Sequence, residues 1–376
     1  MKHWTLLWLA LEMAVRHPVR FWATVGCLVA VFTPLLVGMA ILEGVRAESI
    51  ASVDEGPDLL VTGYEYGRNG SVAEALVERC RRLPDVSRAR GRIVGRTFLS
   101  DRLLTVVGLG RSDGLPVPPE GEAWVGAALA ADLKIVAGSY LSLADQGELT
   151  LRVGRVLSPR AGLASSRLVM LSLKDAQKLY ETPGRVFDLQ IWVRPGEDRH
   201  ARRLLQVAYD LRTTGHPLRI QTKKLVGEYV DRGLSIKGGT FQALYLVALG
   251  VLVPALLVTS GFGLSTRRWE IGLMKALGFS VVDVIEMAAV ETAAMSVLST
   301  CLSFLLAWCW VRLLEGALVA QLFIAGLEQG SVSEIPARFA PEPVLIVLAL
   351  AAILLSAGLV YTSYRSATAR PVEALR

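Results

Sequence analysis

The sequence predicts an α-helical membrane protein of four transmembrane helices, with a large α+β extracytoplasmic domain inserted between the first and second helices. Three observations predict it. Mean hydropathy is +0.44 with 52% apolar residues, high for a soluble chain of 376 residues. Charged residues are 20% of the whole, yet they nearly vanish from four long windows. Each window comes close to or exceeds the roughly 20 apolar residues that cross a bilayer as a helix. Between the first and second windows, residues 43–238 are of mixed polarity and carry strand and helix patterns instead.

Residues 1–20 come first. Trp4, Leu7, Trp8, Leu11 and Val15 fall on one helical face, with Lys2, Glu12 and Arg16 elsewhere. That pattern suits an amphipathic helix lying in the membrane interface, its tryptophans at headgroup depth. The first span, 21–42, has no charge. It is longer than the apolar core of a secretory signal, and the leader before it is too long for one, so it is expected to stay in the mature protein.

Within the extracytoplasmic head, 43–238, Asp58 to Gly63 reads as a strand. Ser71 to Glu74 has the spacing of a capping box, which predicts a helix ending near Pro84. Ile93 to Ser100 and Leu103 to Leu109 alternate about Asp101-Arg102 as a hairpin. Phe187 to Val193 reads as a strand, Glu197 to Arg212 as a helix and Leu218 to Thr222 as a strand. A strand–helix–strand unit thus stands at each end of the head, with an inserted subdomain at about 112–180 between them. The charged residues of the head form no recognisable pair in the sequence and read as a solvated surface.

The second span is 239–265, with Pro254 in its middle, where neighbouring helices can satisfy the freed carbonyl. Residues 266–283 form a short basic helix and turn. The third span is 284–313, long enough that its first turns project from the bilayer, and Glu291 is the one charge well inside it. A loop at 314–343 is acidic, with Glu315, Glu328, Glu334 and Glu342 against Arg338. The fourth span, 344–364, leads into a basic tail at 365–376. Basic short flanks lie on the cytoplasmic side. This places both termini and 266–283 in the cytoplasm, and the head and the acidic loop outside.

Residues 262–291 are the stretch around which the chain is organised. Arg267 to Leu277 suits a short amphipathic helix, with Ile271, Met274 and Leu277 at helical spacing among Arg267, Arg268, Glu270 and Lys275. Gly278 is placed to end it as a left-handed residue. Ser280 and Asp283 then have capping-box spacing for the next helix. Glu291 reads either as a polar link between helices or as a residue near headgroup depth where the helix begins; the second is the preferred reading.

The run Arg267-Arg268-Trp269-Glu270-Ile271-Gly272-Leu273-Met274-Lys275-Ala276-Leu277-Gly278 resembles the signature loop of FtsX-like ABC permeases, a basic pair, Glu-Ile-Gly, then basic-Ala-Leu-Gly. That family includes the macrolide-exporter and lipoprotein-release membrane subunits. Ala14 to Arg20 is similar to the family's approach to its first span, and Arg370-Pro371-Val372-Glu373-Ala374-Leu375-Arg376 to its closing motif. The resemblance implies a bacterial inner-membrane permease with its large domain in the periplasm, driven by a dimer of cytoplasmic ABC ATPases. It also implies a second permease copy, as a homodimer or related heterodimer. Further partners would be a periplasmic adaptor (a membrane-fusion protein) or a lipoprotein, and membrane lipid. Arg267 to Gly272 and Met274 to Gly278 would couple to the ATPase, by a mechanism called mechanotransmission, with Ser280, Asp283 and Glu291 at the entry of the next helix. The cargo would be a hydrophobic or envelope substrate: a lipoprotein, a lipid or a drug-like molecule. The alternative is a regulatory transmembrane transducer that activates an envelope hydrolase and moves nothing.

Other chemistries are excluded by absence. No G-x-x-x-x-G-K-[ST] phosphate loop occurs, so ATP and magnesium would be bound by the partner, with no cofactor in this chain. No H-E-x-x-H occurs, and His3, His17, His200 and His216 have no ligand spacing, so no metal is expected. Gly233-Leu234-Ser235-Ile236-Lys237 fails the G-x-S-x-G pattern at its last position. Cys80 has no partner histidine and reads as packing. The net charge of +6 and pI near 9.2 are accounted for by basic membrane flanks, not by nucleic-acid binding, since no basic stripe interleaved with aromatics is read in the sequence. No enzyme activity is expected of the chain alone.

Overall fold

The computed structural model describes residues 12, 18–99, 102–111, 116–144, 148–158, 168–194, 200–212, 217–261, 272–274, 276–316, 318–323 and 335–356. In chain order the elements begin with α1 (Pro18–Glu55), β1 (Leu59–Glu65), β2 (Arg68–Gly70), β3 (Val72–Ala73), α2 (Ala75–Arg81), β4 (Val86–Leu99) and β5 (Arg102–Leu109). There follow β6 (Glu122–Val125), α3 (Ala127–Asp132), β7 (Tyr140–Ala144), β8 (Glu148–Val156), β9 (Leu168–Ser172) and α4 (Leu173–Leu179). Next come β10 (Arg185–Val186), β11 (Asp188–Val193), α5 (His200–Arg212) and β12 (Leu218–Thr222). The chain closes with α6 (Lys223–Gly261), α7 (Val281–Leu314), α8 (Ala320–Phe323) and α9 (Pro341–Leu355). It divides into two compact units: Met1–Gly44, Ser235–Phe323 and Ala337–Arg376 in one, Val45–Leu234 and Ile324–Pro336 in the other.

Among the described residues, three helices are long and apolar enough to cross a membrane, at Phe21–Glu55, Lys223–Leu252 and Val281–Leu314. The apolar helix α9 is described over 15 residues. Two helices outrun the spans expected from hydropathy: α1 continues to Glu55 and α6 already begins at Lys223. Hydropathy marks where charge begins, whereas the stretches Glu43–Glu55 and Lys223–Lys237 are polar but contain no proline, so no proline forces the helix to end there.

α1 meets α6 where Gly38 lies under the Phe241 ring, so close that any side chain at 38 would overlap it. Phe241 in turn packs edge-on against Phe323, with ring centroids 5.2 Å apart. Arg338 donates its backbone N–H to the Ala40 carbonyl at 2.9 Å. Along α7 the hydroxyls of Thr292, Ser296 and Thr300 donate to the carbonyls of Ala288, Thr292 and Ser296 at 2.7–2.8 Å. These groups satisfy themselves within the helix. Small hydroxyl residues with no outward demand let another membrane helix approach closely. Ser299 and Ser303 are fully buried on α7, which packs with α9, where Val347 and Ala351 are fully buried too.

The second unit is built on a ten-stranded sheet of order β12-β1-β11-β4-β5-β9-β6-β8-β7, with β2 added to β1. Its spine is β4, 14 residues long. The first part of β4 pairs antiparallel with β11, and the second part pairs with β5 through Leu99↔Arg102 as the expected hairpin. At the far end β7 returns to β4 through Phe98↔Ala144. The strands β4-β5-β9-β6-β8-β7 therefore close on themselves. Leu104, Val106, Ala123, Val125, Leu141, Leu143, Leu151, Val153, Val169 and Leu171 are buried within one cluster. Alternate positions of these strands thus face inward, and apolar side chains fill a small closed barrel.

Helices lie close on the inward-facing side of β4 and β5 because three of its positions are glycine. A side chain at Gly91 would meet Val186 and Val77, one at Gly95 the Tyr180 ring, and one at Gly108 the Ala176 methyl. α2 carries Cys80, fully buried, and burial pushes its thiol up to about 11.

One expected helix start is corrected. No capping box forms at Ser71; α2 begins at Ala75, and Glu74 makes no side-chain cap. Tertiary partners claim the groups instead. Val72 and Ala73 pair with Val186 and Arg185. Arg185 Nε donates to Ser71 Oγ at 2.6 Å, and Gln177 Nε2 donates to the Glu74 carboxylate at 2.8 Å.

Candidate functional site

The candidate site is the turn between α6 and α7. Of the residues singled out from the sequence, Arg267, Arg268, Trp269, Glu270, Ile271 and Lys275 lie outside the described residues. Of the two flanking motifs, Ala14 to His17 and Arg370 to Arg376 lie outside them as well. Residues 272–274 and 276 are helical, and Gly278 takes φ +93°, the left-handed conformation. Phe279 N–H then reaches back to the Met274 carbonyl at 3.1 Å. A six-to-one bond across a left-handed glycine is the Schellman stop, whose usual companion is an apolar contact between those same two residues. That contact is present: Met274, Val284 and Met287 form a small buried cluster against which Phe279, Val281 and Val290 pack.

One residue later α7 opens. Ser280 Oγ accepts from Asp283 N–H at 3.3 Å and the Asp283 carboxylate accepts from Ser280 N–H at 2.9 Å, a reciprocal capping box. The helix stop and the helix start are thus back to back, separated by Phe279 alone and riveted by Met274 to the first turns of α7. Such a turn has little freedom to hinge. The apolar stripe read from the sequence is split by this docking. Met274 is buried on α7, whereas Leu277 is 70% exposed and shares its outward face with Leu273, 44% exposed. Residues four apart on a helix are neighbours. Leu273 and Leu277 therefore form a continuous apolar patch beside a turn rich in charge. Glu291 is half-buried in the third turn of α7.

The head holds a second arrangement that sequence reading missed. Alternate positions of β4, opposite in direction to those packed under the helices, are Arg88, Arg90, Arg92, Val94 and Arg96. In register with them on β11 stand Trp192, Gln190 and Asp188. Arg92 pairs with Asp188 through two nitrogens at 2.9–3.2 Å. Arg90 donates from Nε to Gln190 Oε1 at 3.0 Å, and its guanidinium lies 5.6 Å from the Trp192 ring centroid. Burial lowers the Arg90 pKa to about 10, with the neighbouring Arg92 charge adding to the effect. The alternation Arg-x-Arg-x-Arg was visible, but with the strand expected to start only at Ile93 it fell in an unassigned stretch. Among the described residues no cluster of three or more His, Cys, Asp or Glu could hold a metal.

Residues 243–371 match the family model of the FtsX-like permease C-terminal domain. That segment, about a third of the chain, is similar to the FtsX-like permease C-terminal domain. No curated protein matches the chain. Among solved structures, the chain is similar to the periplasmic region of MacB from Actinobacillus actinomycetemcomitans. Identity is 7% and the TM-score 0.36, over 49% of this chain and 98% of that one. It is also similar to the extracellular domain of the noncanonic ABC-type transporter YknZ from Gram-positive bacteria. There identity is 10% and the TM-score 0.33, over 44% of this chain and 98% of that one.

Proposed function

We propose that this FtsX-like permease is the membrane subunit of an ATP-driven export or extraction machine of the mechanotransmission type. A separate cytoplasmic ATPase docks on the segment from Arg267 to Gly278 and shifts it as nucleotide binds and is hydrolysed. The observation that carries the reading is the construction of that segment's end. A Schellman stop, a single-residue link and a capping box fasten it to α7, and a fastened segment passes displacement on where a loose loop would absorb it. Leu273 and Leu277 supply an exposed apolar contact, and Arg267, Arg268, Glu270 and Lys275 the flanking charges. The head then moves on the outer side of the membrane and acts on a hydrophobic or envelope substrate. A second permease copy completes the complex, and an adaptor or a lipoprotein joins it on the outer side.

In this reading the chain has four spans with both ends inside. Asp145→Cys and Gln329→Cys are expected to react in intact cells with a membrane-impermeant thiol reagent, and Ser366→Cys is not. The background would lack Cys27, Cys301 and Cys309; Cys80 can stay, because it is buried with a raised thiol pKa. Labelling at Ser366→Cys in intact cells would overturn the topology. The purified chain is also expected to hydrolyse no ATP, and hydrolysis that persists after every other polypeptide is removed would end the assignment.

A further inference from the structure

The arginine row of the head faces away from the helices that pack on β4 and carries more positive charge than its surroundings balance. Arg88 and Arg96 are exposed and meet no carboxylate among the described residues. Arg90 is held by the neutral side chains of Gln190 and Trp192. Among the described residues, only Arg92 has an anion, Asp188. By register the next carboxylate is Asp58, and it is already engaged by the Val193 N–H at 2.8 Å and by Lys223 at 3.4 Å. The excess cations are therefore a property of this face and not a network closed on itself. Position 98 extends the row with Phe98, 65% exposed.

We propose that this face docks an acidic polypeptide segment in extended conformation. Three features select that occupant. The guanidinium is the group that takes a carboxylate by two parallel hydrogen bonds. Alternate positions of a strand repeat about every 6.8 Å, so Arg88, Arg90 and Arg92 stand at the spacing of acidic side chains at alternate positions of another extended chain, with Val94 between them and Arg96. The exposed Phe98 ring at the row's end offers an apolar contact to the same chain, which a single phosphate group would not use. A basic face also draws an acidic partner in by long-range attraction, raising the rate of encounter. The inference does not rest on ATPase coupling: the row lies in the other compact unit, and the surface would serve a transporter or a transducer equally.

The test uses the full chain in micelles of a neutral detergent. Its probe is a fluorescein-labelled decapeptide of alternating Glu and Thr, read by anisotropy, with the alternating Lys and Thr decapeptide as control. The acidic peptide is expected to bind, the basic one not to, and the Arg88→Glu/Arg96→Glu double variant to bind at least about tenfold more weakly. Both positions are exposed and unpaired, so the head should keep its protease resistance. Arg88→Gln/Arg96→Gln provides the neutral version and should fall between the two. Equal binding by parent and both variants overturns the proposal. So does a result in which inorganic phosphate, or vesicles containing an anionic lipid, bind in an Arg88-dependent way while the acidic peptide does not.

Discussion

Gly278→Pro is expected to uncouple the complex while leaving the head folded. The position sits at φ +93°, and proline is held near φ −65°, so the Schellman stop cannot form with proline there. The Phe279 to Met274 hydrogen bond is lost with it, and the Met274 contact to Val284 and Met287 loosens. A left-handed conformation alone costs an ordinary L-residue about 1–2 kcal/mol; for proline the conformation is out of reach and the turn must rebuild. Glu270→Lys is the companion variant. It would place four cations, at 267, 268, 270 and 275, within nine residues of the segment proposed to dock the ATPase. Misplaced charge at an interface costs up to several kcal/mol. Both positions lie outside the unit that contains residues Val45–Leu234, so that unit should keep its protease resistance. The readouts are ATPase copurification and the rate of export per ATP hydrolysed, with a fall of at least about tenfold in one of them. Parental values of both, in both variants, would reduce the segment to a basic membrane anchor.

Asp188→Ala is expected to have the largest effect on the stability of the head. Asp188 is 7% exposed and, among the described residues, is the only acidic group bonded to the arginine row. Removing it leaves Arg92 partly buried beside Arg90, which already has only a neutral amide and a ring as partners. Breaking a buried ion pair from one side costs about 3–5 kcal/mol, because the remaining charge has no compensation. The expected result is a fall of about 3 kcal/mol in the unfolding free energy of the head, read by pulse proteolysis of the full chain in urea. Replacing both partners, as in Arg92→Leu/Asp188→Leu, should restore much of that loss, since it leaves no buried charge behind. A single variant as stable as the parent would show that water reaches Arg92 freely.

These expectations draw on different levels of information. The apolar windows, the left-handed glycine at 278 and the capping box at Ser280 were all legible in the sequence, because each depends on neighbours in the chain. Hydropathy is a local sum, a helix stop needs only its own last turn, and a capping box spans four residues. The same local logic failed at Ser71, where Arg185 and Gln177, more than a hundred residues away, took the groups that a cap would have used. It also split the stripe of Met274 and Leu277, since a helical repeat says which residues share a face but not which of them another helix will cover. The arginine row was written plainly in residues 88–96. Its meaning depended on β11, which brings Asp188, Gln190 and Trp192 alongside from about a hundred positions further on. What the sequence determined by itself was the membrane-helix pattern, the family of the C-terminal segment and the turn that ends at Ser280. Only the tertiary structure decided that β4 is shared between an open sheet and a closed barrel, and which of its charges are balanced. Strand pairing is set by long-range register and burial, and neither leaves a trace in any short window of residues.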